Sequence, residues 1–231
     1  MKRCGLLGRM LGHSWSPQIH ALLGGYPYDL CEVEPEALES FLRNTGFAGL
    51  NVTIPYKKAV LPFCASLSEA ARETGSVNTL VREKDSWHGY NTDYDGFVWM
   101  ASESGIDVSG KKALIFGSGG VSGTVCLALQ KLGAKSVSVI SRSGEDNYEN
   151  LDRHADAQIL VNCTPVGMYP EVGEAVVNLD RFPACEGVFD LIYNPLKTTL
   201  LLDAEARGIP CCNGLLMLVA QAVRSAELFL K

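Results

Sequence analysis

Gly117, Gly119 and Ser122 stand at the spacing Gly-x-Gly-x-x-Ser. They follow a continuous apolar run, Ala113 to Phe116, and precede apolar residues at helical intervals: Val121, Val125, Leu127, Ala128 and Leu132. A strand–turn–helix passage of this kind can hold a dinucleotide. Its first glycine makes the tight turn, its second admits a pyrophosphate to the backbone, and the free N–H groups at the helix start face the anion. Packing in a tight turn is the plainer use of such glycines. A second β-branched run, Ser136 to Ile140, completes a strand–helix–strand unit and favours the nucleotide. That run ends in Ser141-Arg142-Ser143, with no acid before Glu145. An acid there would hold a ribose 2′-hydroxyl, whereas arginine and two hydroxyls suit a 2′-phosphate, so NADP is the expected cofactor.

A second set of polar residues lies earlier in the chain. Asn51 and Thr53, Asn78 and Thr79, and Asn91-Thr92-Asp93 end three predicted strands, and Lys57 follows shortly after Pro55. Asn and Thr at strand ends are commonly turn formers. Three such pairs with a lysine and an aspartate look like one convergent polar site. Ser14 and Ser16 precede a predicted helix that starts with Ser16 as cap and Pro17 in its first turn. Two hydroxyls beside free helix N–H groups suit a carboxylate, and they equally suit a simple cap.

The elements that must position these residues alternate between strand and helix. Strands are predicted at Arg3 to Leu7, Tyr28 to Val33, Gly49 to Ile54, Ser76 to Val81, Ile159 to Asn162, Gly187 to Tyr193 and Ile209 to Cys211. Glu83 to Ser86 forms a hairpin turn that returns through Trp87 to Tyr90. Helices are predicted at Glu36 to Arg43, Leu67 to Thr74, Gly96 to Ser102, Thr198 to Arg207 and Leu215 to Leu230. Few residues separate Arg142 from the strand at Ile159, so the helix after the second nucleotide-unit strand should be lost or reduced to a turn. The fold class is α/β.

The length of 231 residues lies between one domain and two, and 47% hydrophobic with 20% charged residues is ordinary for a globular enzyme. A formal net charge of −6 argues against nucleic acid or an anionic membrane as the main partner. The start, MKRCGLLGRMLGHSW, carries no signal-peptide pattern, and no apolar run reaches spanning length, so a cytoplasmic protein is expected. The eight cysteines form no CxxC pair and sit mostly in apolar runs, which predicts reduced thiols. The four histidines have no metal-ligand spacing, and no metal is expected.

Taken in order, the motifs resemble the shikimate dehydrogenase family over essentially the whole chain. They are His13-Ser-x-Ser-Pro17, Asn51-Val-Thr-x-Pro-x-Lys57, Val77-Asn-Thr79 and Gly89-x-Asn-Thr-Asp93-x-x-Gly96. Gly117-x-Gly-Gly120, Asn162-x-Thr-Pro-x-Gly-Met168, Asp190-x-x-Tyr193-x-Pro195 and Gly214-x-x-Met-Leu-x-x-Gln221 follow. The resemblance implies NADPH-dependent reduction of 3-dehydroshikimate to shikimate, on the route to chorismate and aromatic amino acids. It implies a substrate domain at 1–96 completed by the terminal helix 214–231, a Rossmann-type cofactor domain at 97–213, and a cleft between them. It implies that Ser14 and Ser16 hold the substrate carboxylate, and that Thr53, Asn78, Tyr193 and Gln221 contact the carboxylate or ring hydroxyls. Lys57 and Asp93 match the catalytic pair. Gly117, Ser118, Gly119, Gly120 and Val121, with Ser141, Arg142 and Ser143, match the cofactor phosphate sites. Leu191 should lie along the cofactor's edge, and Gly214 and Met217 near the nicotinamide.

The chemistry agrees. Hydride reduction of a ketone builds negative charge on oxygen, which Lys57 can meet with a proton while Asp93 orients the ammonium. In the oxidation direction neutral Lys57 is the base.

The sequence departs from the family at the cofactor motif. Ser141 stands for the usual Asn and Ser143 for Thr, and Gly144 to Asn147 offers no second basic residue. The chain also ends ten residues after Gln221, as in a compact, shortened member. An NAD-using quinate/shikimate dehydrogenase, and a non-catalytic sensor of NADP or shikimate, are the alternatives. The expected partner is a small-molecule substrate, with the chain a monomer or a homodimer.

Overall fold

Short apolar runs form two sheets in the computed structural model of this chain, which describes residues 2–12 and 14–231. The sheets belong to two units: Met1–Asp95 with Val219–Lys231, and Gly96–Leu218.

In the first unit the strands are β1 (Cys4–Gly8), β2 (Tyr28–Glu32), β3 (Gly49–Val52), β4 (Cys64–Leu67), β5 (Thr79–Glu83) and β6 (Ser86–Tyr90). Their order across the sheet is β2-β1-β3-β5-β6-β4. β1 runs parallel to β2 and β3, and β5 is antiparallel to both β3 and β6. The two-residue strand period assigns each face. Leu50, Val52 and Leu80 join Leu7, Trp87 and Tyr56 in a core cluster on one side. Gly49, Asn51, Thr79 and Val81 point the other way, toward the terminal helix α7 (Leu215–Leu230). That helix lays Ala222, Ser225, Ala226 and Phe229 on the unit, a stripe at helical spacing. A side-chain carbon on Gly49 would lie 2.2 Å from the Phe229 ring, so only glycine lets the ring seat on β3.

In the second unit β7 (Lys112–Phe116), β8 (Ser136–Ile140), β9 (Ile159–Asn162), β10 (Gly187–Asp190) and β11 (Cys211–Asn213) form one parallel sheet. The order is β11-β10-β9-β7-β8. β9 and β10 are buried throughout, as parallel strands covered on both faces should be. Helix α5 (Ser122–Lys131) connects β7 to β8, and α6 (Thr199–Ala206) precedes β11, its first turn capped by Thr198. The helix after β8 is reduced to a 3-10 turn, Leu151–His154.

The remaining elements differ from the sequence reading in informative ways. In α1 (Ser16–Leu23), Ser16 is the first helical residue rather than the cap. Trp15 holds the cap position with no side-chain bond, and the Ser14 hydroxyl accepts the Ser16 N–H at 3.2 Å. β3 stops at Val52 because residues 54–60 form turns, and β10 stops at Asp190 rather than at Tyr193. The last strand lies at Cys211–Asn213, two residues beyond the expected one. β4 was not expected: it is a half-exposed edge strand held by pairing with β6, a non-local partner. Helix α4 (Thr92–Ser104) starts four residues before the expected Gly96. Asn91 accepts the Tyr94 N–H at 3.3 Å, and Asp93 and Asp95 occupy the first turn, where negative charge meets the helix dipole. Helices α2 (Leu38–Asn44) and α3 (Glu69–Thr74) complete the first unit.

His20 of α1 lies buried against β2, its ring stacked on Tyr28 with centroids 4.1 Å apart. Its Nδ1 is 2.6 Å from the Tyr26 hydroxyl. Burial pushes the imidazole down to about 4 from an ordinary value of 6.5, opposed by a hydrogen bond with Asn51. The folded state therefore favours neutral His20. Its contribution to stability is complete above about pH 6.5 and is lost as pH falls toward 4, amounting to about 3 kcal/mol at most. Urea unfolding between pH 7 and pH 4 should show a flatter loss of stability in His20→Gln than in the wild type. Parallel curves would remove His20 from the acid sensitivity.

Candidate active site

The convergent polar site of the first unit is built from a loop and a helix start. After β3 the chain turns through Thr53, whose carbonyl accepts the Tyr56 N–H at 2.9 Å. Buried Tyr56 and Val60 anchor this loop, with the Tyr56 hydroxyl donating to the Val33 carbonyl. The Val77 N–H is bonded to the carbonyl of Lys57, which fixes the lysine's backbone. Lys57 Nζ lies 2.6 Å from Asp93 Oδ2 on the first turn of α4. Their side chains are 18% and 14% exposed, so the pair is shielded but reachable. A charge-assisted bond of this length fixes the direction of the ammonium.

Asp93 is set in place by its neighbour. Asn78 Oδ1 accepts the Thr92 N–H at 2.7 Å, and Asn78 Nδ2 donates to Thr92 Oγ1 at 3.0 Å. The Thr92 hydroxyl contacts those of Thr79 and Ser225 at 3.2 and 3.0 Å. Asn51 Nδ2 donates to Ser225 Oγ at 2.8 Å and to Thr79 Oγ1 at 3.0 Å. Tyr28 donates to Asn51 Oδ1 at 2.8 Å, and the Ser16 side chain hydrogen-bonds the Tyr28 hydroxyl. The Asn/Thr cluster does converge, then, as a buried network rather than as an open ring of ligands.

The other expected substrate residues divide. Asn78 is buried and keeps one amide hydrogen beyond those the network uses. Ser14 is tied to the Ser16 backbone, and Thr53 packs at the end of β1, where a carbon on Gly8 would lie 2.8 Å from its methyl. The Gln221 carbonyl accepts the Ser225 hydroxyl at 2.9 Å. Tyr193 belongs to the second unit, and its hydroxyl is pushed up by burial. His13, which opens the first motif, lies outside the described residues. Sequence reasoning missed Tyr28 and Ser225. Ser225 lies one helical turn beyond Gln221, and that spacing is its only sequence signal.

In the second unit Gly117 takes φ +99°, and a carbon there would meet the Thr164 methyl at 2.8 Å and the Cys163 carbonyl oxygen at 3.2 Å. Only glycine fits. Gly119 and Gly120 have nothing within 4 Å of an added carbon, leaving open space at the start of α5. A cavity of about 670 Å³ is lined by Gly117, Ser118 and Gly119, by Ser141 and Arg142, and by Tyr148, among others. Gly120, Val121 and Ser143 lie on the same two loops outside its lining. The cradle closed to any side chain, the open glycines, and Arg142 with no carboxylate partner among the described residues fit a dinucleotide phosphate. Among the described residues no group of three or more His, Cys, Asp or Glu could hold a metal ion.

Leu191 and Gly214 are neighbours elsewhere in this unit. A carbon on Gly214 would lie 2.0 Å from the Leu191 carbonyl oxygen, so close backbone packing by itself requires this glycine. Met217 is buried on the first turns of α7.

The loop facing Gly117 is held from below. Buried Asp190 accepts from Thr198 Oγ1 at 2.7 Å, Asn162 Nδ2 at 3.1 Å and the Ile192 N–H at 3.1 Å. Burial raises this carboxyl while those donors oppose the rise. Asn162 Oδ1 in turn accepts the Thr164 N–H at 2.9 Å and its hydroxyl at 2.7 Å.

Comparison with known proteins places the chain. The family model for the shikimate dehydrogenase substrate binding domain matches residues 6–80. A shikimate dehydrogenase (NADP(+)) of Caldanaerobacter subterraneus subsp. tengcongensis is 36% identical, over 94% of this chain and 88% of its own length. The chain belongs to the shikimate dehydrogenase family. A chorismate mutase/shikimate 5-dehydrogenase fusion protein from Clostridium acetobutylicum superimposes with a TM-score of 0.92 at 36% identity, covering 99% of this chain and 91% of that one. The shikimate 5-dehydrogenase of Thermus thermophilus, solved with NADP(H) and shikimate, gives 0.90 at 31% identity, covering 99% and 93%. The family's arrangement, an N-terminal substrate domain plus a Rossmann-type NADP-binding domain, is the one this chain adopts.

Asp190→Ala should lower unfolding stability by about 1–3 kcal/mol, because it leaves buried donors of Thr198 and Asn162 without an acceptor. Chemical denaturation measures it, and an unchanged midpoint would show that these groups find other partners.

Proposed function

We propose that this chain catalyses the reversible NADPH-dependent reduction of 3-dehydroshikimate to shikimate, with Lys57 as proton donor and Asp93 as its positioning partner. The observation that carries the reading is the shielded 2.6 Å contact between Lys57 Nζ and Asp93 Oδ2 in the unit matched by the substrate-binding family model. When bound, NADPH supplies the hydride. Lys57 holds a proton on Nζ, and as the ketone oxygen gains negative charge that proton moves to it. Asp93 keeps the ammonium from swinging into solvent. In oxidation the shikimate hydroxyl proton passes back to neutral Nζ.

Residues 1–96 with 214–231 serve the substrate, and residues 97–213 serve the cofactor. The Ser14 and Ser16 hydroxyls take the carboxylate, while Thr53, Asn78, Tyr193 and Gln221 contact carboxylate or ring hydroxyls. Gly117 to Val121 take the pyrophosphate, and Ser141, Arg142 and Ser143 the 2′-phosphate. Leu191, Gly214 and Met217 lie along the nicotinamide end. No helix among the described residues is long and apolar enough to cross a membrane, and we place the enzyme in the cytoplasm.

The test is reduction of NADP⁺ and of NAD⁺ with shikimate, then with quinate, for wild type and Lys57→Ala. Shikimate with NADP⁺ should be the preferred pair, and the variant should lose about 10²–10⁴-fold in kcat with KM little changed. Preferred turnover of quinate with NAD⁺ would reverse the substrate and cofactor assignment. Tight NADP⁺ binding without turnover of any pair would replace the enzyme with a sensor.

A further inference from the structure

Tyr148 belongs to no motif of the family, yet it stands in the wall of the cavity that holds Gly117, Gly119 and Arg142. Its ring stacks on Phe116, the last residue of β7, with centroids 6.3 Å apart and planes 26° from parallel. Phe116 is fully buried directly before the glycine turn, so it fixes the Tyr148 ring against the floor of the site. The loop that carries Tyr148 is closed by its own hydrogen bonds. The Ser141 N–H donates to the Asp146 carbonyl at 3.2 Å, Asn150 Oδ1 accepts the Asn147 N–H at 2.9 Å, and Asn150 Nδ2 donates to the Glu145 carbonyl at 2.8 Å. Tyr148 is therefore a preset group and not a side chain swinging from a free loop.

Charge in the cavity is scarce. Arg142 is the one cation and Glu174 the one acid among its lining residues. No lysine or arginine lies between Ser143 and Asn150. A phosphate dianion facing a single guanidinium there must take further donors from neutral groups, and hydroxyls can supply them.

We propose that Tyr148 is a specificity-determining residue for the cofactor, its hydroxyl donating to the 2′-phosphate of NADP beside Arg142. The proposal rests on the NADP reading of this cavity. Burial raises the phenol against the lowering influence of Arg142, so the hydroxyl keeps the proton it donates. A 2′-hydroxyl in place of phosphate offers the tyrosine far less, so the contact separates NADP from NAD. The phenol thus supplies, without charge, part of what a second basic residue would supply.

The experiment is calorimetric titration of adenosine 2′,5′-bisphosphate and of 5′-AMP into wild type and Tyr148→Phe, with steady-state kinetics on NADP⁺ and NAD⁺. The variant keeps the ring on Phe116 and loses only the hydroxyl. It should bind the bisphosphate about 5- to 20-fold more weakly and 5′-AMP unchanged. KM for NADP⁺ should rise by a similar factor while kcat, and kcat/KM for NAD⁺, stay at wild-type values. A wild type that prefers the bisphosphate and a variant that keeps the same preference would overturn the proposal alone. Equal weakening toward both ligands would also overturn it, by making Tyr148 a packing residue. A wild type that binds both ligands alike would overturn the NADP reading, and this proposal with it.

Discussion

The first unit depends on one buried cluster of uncharged polar groups: Asn51, Thr79, Thr92 and Ser225, linked by hydrogen bonds of 3.2 Å or less. Each comes from a different element: β3, β5, the start of α4 and α7. Inside a protein an unpaired amide or hydroxyl costs about 1–3 kcal/mol, so such a cluster is stable only when every member is in place. Among the described residues no buried side-chain nitrogen or oxygen lacks a partner. The consequence is positional. Thr92 cannot shift without breaking bonds to Asn78, Thr79 and Ser225, and Asp93 is the next residue. The carboxylate facing Lys57 is thus held by a network that never touches it.

The second unit solves the same problem with one buried charge. Asp190 gathers Thr198, Asn162 and the Ile192 N–H, and Asn162 then clasps Thr164 over Gly117. Position passes from β10 through β9 to the glycine turn along two side chains. The φ of +99° at Gly117 and the close approach of Thr164 are two sides of one constraint. A larger residue at either place would push the turn away from the sheet end.

The parts of this fold that were legible in the sequence are those set by local pattern. The glycine turn, β8 and β9, and the terminal helix follow from apolar runs broken by glycine or serine. The start of α4 is not among them, because Asn91 and Thr92 serve equally as strand-end turn formers and as the opening of a helix. β4 carried no readable signal, since Cys64-Ala-Ser-Leu67 has no alternation and is held by a partner more than twenty residues away. Ser225 was hidden for a related reason. A serine in an apolar helix looks like a solvated position until a sheet supplies Asn51 and Thr79 opposite it. The Lys57 and Asp93 assignments came from motif order; spacing alone could not have paired residues from a loop and a helix start.

The reduced segment after β8 shows how a missing helix can be replaced without opening the core. A helix in that place would shield Phe116, Ile140 and Leu160 with one continuous apolar stripe. Here the cover comes in pieces: Tyr148 stacks on Phe116, Phe182 meets the same ring edge-on at 6.2 Å, and Leu151, Val177 and Leu179 are buried in the same cluster. The pieces belong to separate loop segments, so each needs its own backbone partners: Asn150 serves the Asn147 N–H and the Glu145 carbonyl, Asn147 the Gly144 carbonyl, and Asn178 the Asp180 N–H. A helix would have satisfied its own backbone and left the cavity wall to whichever side chains its pitch allowed. A loop knotted by asparagines satisfies its backbone through side chains, and so is free to aim Tyr148 at the end of β7. The shortening that removes the helix is therefore the same change that brings an aromatic ring into the wall of the cavity that Arg142 lines.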